Sequence, residues 1–152
     1  MADRASTSDR DRGSVLLLVP AAMLIVLLLT ALVADASGAF LAERELADAA
    51  AAAANDAVTA GLDPDLLRAS GARRLDPDRV CAVVAATLTA VDRPIVTQAL
   101  QADPCPARIT DDGLGVEVTL EADAPATFGR GLPGAPDSYA VGARRRATLT
   151  SA

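Results

Sequence analysis

Apolar and polar positions along this chain fall into three successive patterns, and each predicts a different kind of element. The first is unbroken apolarity. Ser14 to Ala34 (SVLLLVPAAMLIVLLLTALVA) holds twenty-one residues without a charge. As a helix rising about 1.5 Å per residue it reaches roughly 31 Å, matching a bilayer's hydrocarbon core of about 30 Å. Its polar members, Ser14 and Thr30, can turn their hydroxyls back onto the preceding helical turn. Pro20, in the second turn, removes one backbone bond, which membrane helices tolerate. A helix apolar on every side could also sit in a soluble core, but little downstream is large enough to wrap it. The run predicts a transmembrane helix over 14–34.

The second pattern has helical period. Residues 35–61 contain no proline and are dominated by Ala, the strongest helix former. Leu46, Ala47, Ala50, Ala54, Ala57 and Val58 fall on one stripe, with Arg44, Asp48 and Asn55 opposite; Arg44 and Asp48 are four apart, at pairing distance. The membrane helix is therefore expected to continue outward as a stalk ending near Gly61, which suits a C-terminal cap. The stripe has two readings. Ala is there for helix propensity alone, or Leu46, Ala50, Ala54 and Ala57 form an assembly contact in which small residues let two helices approach closely.

Two copies of Leu-Asp-Pro-Asp follow, at 62–65 and 75–78. Asp63 and Asp76 have the chemistry of N-caps, Pro64 and Pro77 fit the first helical position, and Asp65 and Asp78 sit near the positive end of the helix dipole. Leu62 with Leu67, and Leu75 with Val80, match the hydrophobic staple. Neither copy has the oxygen-rich loop and central Gly of a calcium site. From Val80 the apolar positions recur at three and four, predicting a short helix that Arg93-Pro94 ends; Ile95 to Leu100 fits either a strand or a helical turn.

The third pattern is alternation. After the turn signal Asp111-Asp112-Gly113, Val116, Val118, Leu120 and Ala122 alternate with Glu117, Thr119 and Glu121, and Pro125 stops the strand. Thr127 to Ser138 is a Gly- and Pro-rich loop. Tyr139 to Leu149 alternates again, with Arg144 and Arg146 on the outer face, opposite in charge to Glu117 and Glu121 across an antiparallel pair. The same register turns Arg145 inward. The fold class expected is α+β: the single N-terminal membrane helix, its stalk, then a small exported domain with short helices and an antiparallel sheet.

Composition adjusts this picture at a few points. Phe40, Phe128 and Tyr139 are the only aromatics, so the domain's core is expected to be thin. All 14 basic residues are Arg, against 20 acidic ones, for a net charge of −6. An acidic exported part argues against nucleic acid as partner. The absence of His removes the commonest general base and metal ligand. No nucleophile–base pair, phosphate loop or metal constellation stands out, so no enzymatic activity and no cofactor is expected. Arg4, Arg10 and Arg12 precede the span and only Arg44 follows closely, which places the N-terminus in the cytoplasm and the C-terminal domain outside. The polar residues 1–13 read as a disordered tail. A cleaved secretory signal is the rival, with Ala34-Asp35-Ala36 or Ser37-Gly38-Ala39 as the cleavage pattern, although the apolar run exceeds the usual length of about 7–15 residues. Outside the cytoplasm, the lone pair Cys81 and Cys105 predicts a disulfide.

Several stretches carry a resemblance. Arg12-Gly13-Ser14 before the span, Leu32-Val33-Ala34-Asp35 at its end, and Glu45-Leu46-Ala47-Asp48-Ala49-Ala50-Ala51 beyond it resemble the TadE/TadG-type proteins of the tight-adherence (Flp) pilus system. The C-terminal block is similar to that family's tail: a strand, Ala-Pro-Ala-Thr-Phe, a Gly/Pro loop and a last strand rich in Ala and Arg. Pseudopilins of the TadE kind have Glu five residues after the cleavage-site Gly, whereas Leu18 stands at that distance from Gly13. The resemblance implies a minor pilin-like or assembly component of a pilus or related secretion machine. Its partners would be membrane lipid, machine subunits and further copies of itself. The alternative is an exported, signal-cleaved module that binds a cell-envelope ligand.

Overall fold

The computed structural model describes residues 8–131 and 134–149, with side chains from residue 18 onward. One helix dominates it. α1 (Ser8–Ala60) runs unbroken through the apolar segment, past Pro20, and along the whole Ala-rich stretch. The stalk thus ends one residue before Gly61, as the composition implies. The start differs: residues 8–13, expected as part of a disordered tail, are already helical, while 1–7 lie outside the described residues. Thr30 donates its hydroxyl to the Val26 carbonyl at 2.8 Å; the side chain of Ser14 is outside the described set.

Two short helices begin where the Leu-Asp-Pro-Asp repeats place them. Asp63 caps α2 (Pro64–Ser70) by accepting from the N–H groups of Asp65 and Leu66, and Asp76 caps α3 (Pro77–Ala90) by accepting from Asp78. Carboxylates at this position satisfy amides the first helical turn leaves unpaired. The segments before the two helices pair with each other through a Leu62–Leu75 bridge. Pro94 opens α4 (Pro94–Ala102), which resolves the ambiguous stretch in favour of helix: Val96 and Ala99, three apart, are both buried.

The sheet is antiparallel, ordered β1 (Ala107–Ile109), β2 (Gly115–Pro125), β3 (Ser138–Thr148). β2 alternates as expected, with Val116, Val118, Leu120 and Ala124 buried. That face meets α1, with α3 and α4 alongside, in one core. The helix contributes mostly Ala to it, including Ala49, Ala50, Ala53, Ala54 and Ala57. Small side chains on α1 let its backbone lie close to the strands, so the domain closes without buried aromatics. The largest fully buried side chains are Leu46, Leu88 and Leu120. Gly61 ends α1 where a Cβ would stand 2.3 Å from the Ala57 carbonyl and 2.7 Å from Val80, so a side chain there would push α3 away.

The fold is α+β, with a long apolar N-terminal helix and a small antiparallel sheet. On the outer face of the sheet the register puts Glu117 opposite Arg146 and Thr119 opposite Arg144. Arg144 nonetheless reaches diagonally to pair with Glu117, which holds the Glu117 carboxyl below its ordinary range. The second expected pair does not form: Glu121 faces Gly142, and Arg146 lies 3.9 Å from Asp112 instead. Arg145, turned inward by alternation, is exposed and donates to the Arg144 carbonyl at 2.9 Å.

Candidate functional site

Among the described residues Asp35 is the one charged or polar residue in the buried set, 6% exposed. It sits on α1 directly after the uncharged run. Ninety-two residues further on, the chain turns out of β2 and presents three consecutive amides to it. Thr127 N–H donates to Oδ1 at 2.8 Å, Phe128 N–H to Oδ1 at 3.0 Å and Oδ2 at 3.2 Å, and Gly129 N–H to Oδ2 at 2.9 Å. Both carboxylate oxygens are engaged by backbone dipoles, an arrangement that favours the ionised form. The carboxyl is accordingly held below its ordinary value of 3.8, chiefly by the Phe128 amide and further by Thr127 and Gly129, with desolvation opposing.

Local sequence explains the loop's shape. Pro125 ends β2, Ala126 is buried and donates to the Asp137 carbonyl at 3.0 Å, and Gly129 opens a 3-10 turn (Gly129–Gly131). A Cβ on Gly129 would stand 2.9 Å from the Pro136 carbonyl and 3.1 Å from Ala126, so glycine is required for the third amide to reach Asp35. The carboxylate ties the base of the sheet to the turn of α1 that adjoins the apolar segment.

Much of the surface around this clamp is apolar, with Thr127, Arg130 and Asp137 the exposed polar residues of the turn and its base. Leu18 to Val33 contribute almost nothing to the domain's core and remain exposed along the helix. Beyond them Phe40 and Leu41 are exposed on the flanks of α1 turned away from the sheet, and Phe128, whose amide is bound to Asp35, leaves its ring 52% exposed.

The residues singled out from sequence are all brought together, in two places. Cys81 in the first turns of α3 and Cys105 before β1 are joined as a disulfide, with Cα atoms 5.3 Å apart. Leu46, Ala50, Ala54 and Ala57 share one face of α1, but each is at most 1% exposed. The expected assembly contact with a neighbouring subunit is therefore corrected. The stalk does not stand free; its own domain folds back along it, and the stripe is occupied by α3 and the sheet. Ala50→Leu is then expected to destabilise the domain by about 1–3 kcal/mol through overpacking. Denaturant unfolding of the full chain in detergent measures this, and unchanged stability would show that space exists beside Ala50.

Asp35 was visible in the sequence only as a landmark at the end of the apolar run. What marks it is isolation: the next charge is Glu43, two turns on, and no basic residue is within reach on the helix. A carboxylate so placed needs donors from elsewhere in the chain.

Elsewhere the surface offers shallow features. A groove of about 520 Å³ runs between the end of α4 and the outer sheet face, lined by Asp103, Arg108, Glu117, Glu121 and Arg144. Among the described residues no group of three or more His, Cys, Asp or Glu side chains is arranged to hold a metal ion. Compared with protein-family models, with curated proteins and with solved structures, the chain matches none significantly.

Proposed function

We propose that this is a non-enzymatic, single-pass membrane protein, its N-terminus cytoplasmic and its α+β domain outside. In this reading it is a minor pilin-like or assembly component of a tight-adherence pilus or related secretion machine. The observation that carries the membrane reading is the exposure of the apolar half of α1. The helix is long and apolar enough to cross a bilayer, and only 6% of its most apolar window is buried in the protein. A soluble protein would leave that surface in water at a large free-energy cost. A second observation argues for retention of the span. Cleavage after Ala36 would remove Asp35 and leave the amides of Thr127, Phe128 and Gly129 without their acceptor. The pilus assignment rests on the resemblance to the TadE/TadG type, together with an architecture in which one helix is both anchor and domain core.

Topology is tested by labelling intact cells with a membrane-impermeant maleimide after mild reduction. Cys81 or Cys105 should react, and the intact mass should retain Asp35; labelling only after lysis, or a mature N-terminus beyond Ala36, overturns the anchored reading. The assembly role is tested with a photo-crosslinker at Leu41, 58% exposed on the far side of α1. Crosslinks to pilin-like subunits are expected, and their absence at equal expression counts against a place in such a machine.

A further inference from the structure

We propose that the turn after β2 is a membrane-docking element: Phe128 enters the bilayer interface beside the span, Arg130 lies at headgroup level, and Asp35 is the positioning residue that holds the turn down. The inference rests on the reading of α1 as a membrane helix and adds a second, separate contact of the exported domain with lipid.

Level along the helix decides the partner. Asp35 follows the uncharged run directly, so its Cα lies about 1.5 Å beyond the end of that run. The polar zone on each side of the hydrocarbon core is roughly 5–8 Å deep. Three amides bonded to the Asp35 carboxylate place Thr127, Phe128 and Gly129 inside that zone. Phe128 could have been folded into the core like Ala126; instead its ring stays 52% exposed at this level. An aromatic ring held outward on a rigid turn suits the boundary between acyl chains and headgroups. Arg130, exposed two residues on, complements anionic headgroups.

The opposite end of the domain supplies the contrast. α3 runs antiparallel to α1: Val80 in its first turns lies beside Gly61, and Arg93, just past its end, lies beside Glu45. The disulfide from Cys81 to Cys105 therefore lies far from the membrane, as does β1, and β2 descends from there to Asp35. Leu114, in the turn just before β2 and 37% exposed, is separated from the Phe128 turn by the whole of β2, roughly 35 Å of extended strand.

The chain has no Trp, so single reporters can be introduced one at a time. The full chain is reconstituted in vesicles of phosphatidylcholine and phosphatidylglycerol with bromine on the upper acyl chain. Phe128→Trp and Leu24→Trp should lose fluorescence to the brominated lipid and Leu114→Trp should not. Adding Asp35→Ala to Phe128→Trp should remove the quenching at 128, while Leu24→Trp remains quenched and the Cys81–Cys105 bond still forms. Quenching at 24 but not at 128 overturns the docking and leaves the membrane helix standing. No quenching at 24 overturns both. Quenching at 114 as well as at 128 would show indiscriminate adsorption and overturn the docking. Quenching at 128 that survives Asp35→Ala removes Asp35 from the positioning role.

Discussion

Asp35→Ala should free the turn after β2 from α1 and make it the first part of the domain to open. The substitution deletes the acceptor of three adjacent amides at once, and no other carboxylate lies within two helical turns on α1 to replace it. Unsatisfied amides in a site that a helix covers favour the open, hydrated turn. Arg130 is the only basic residue between Arg108 and Arg144, so trypsin reports on this turn specifically. Cleavage after Arg130 is expected to be roughly tenfold faster in the variant. Equal cleavage rates would show that packing, not the carboxylate, holds the turn. The pH dependence has a definite sign. The folded carboxyl lies below 3.8, so its contribution is fully present above that value and is lost as pH falls through the folded one. Amide protection at Thr127, Phe128 and Gly129 should hold from neutral pH to about 4 and decline below it. Loss of protection already near pH 6 would contradict a depressed pKa.

Removing the disulfide should have the largest effect on global stability. Cys81 and Cys105 are 24 residues apart, and closing such a loop restricts the unfolded chain by about 3–4 kcal/mol on the chain-entropy model. The bond joins α3 to the segment that feeds β1, two elements on opposite sides of α4 in sequence. In a core built largely from Ala and Val, that is a sizeable share of a typical total of about 5–15 kcal/mol. The double variant Cys81→Ser, Cys105→Ser, unfolded by denaturant in detergent beside the wild type, measures it. A loss below about 1 kcal/mol would mean the unfolded chain is already compact around this loop.

Much of this fold is written locally. Asp-Pro at 63–64 and 76–77 starts helices because cap and first-turn geometry depend on a few neighbouring residues. β2 is legible because one face is buried and the other is not, which imposes a strict period of two. What sequence left open depends on contacts between distant segments. Ile95 to Leu100 has an apolar spacing that fits strand or helix until Val96 and Ala99 meet the core. The Ala stripe on α1 is visible as a stripe, but periodicity cannot say whether the covering surface belongs to this chain or another. The diagonal reach of Arg144 to Glu117 follows from the register with β3, which alternation alone does not set. Asp35 was hardest to read, because all its partners are backbone amides and leave no side-chain signature.

The unbroken course of α1 also makes the domain a lever. From Asp35 to Ala60 the helix extends roughly 38 Å, and the domain is fixed to it along this length by core packing and at the base by the Asp35 bonds. Membrane helices span tilts from about 0 to 40°. With α1 crossing a bilayer, as proposed above, a change of only about 10° in its tilt would sweep the far end near Gly61 through about 7 Å. In the same proposed arrangement, a force applied to α2 or the Leu62–Leu75 bridge would be felt as torque on the membrane segment.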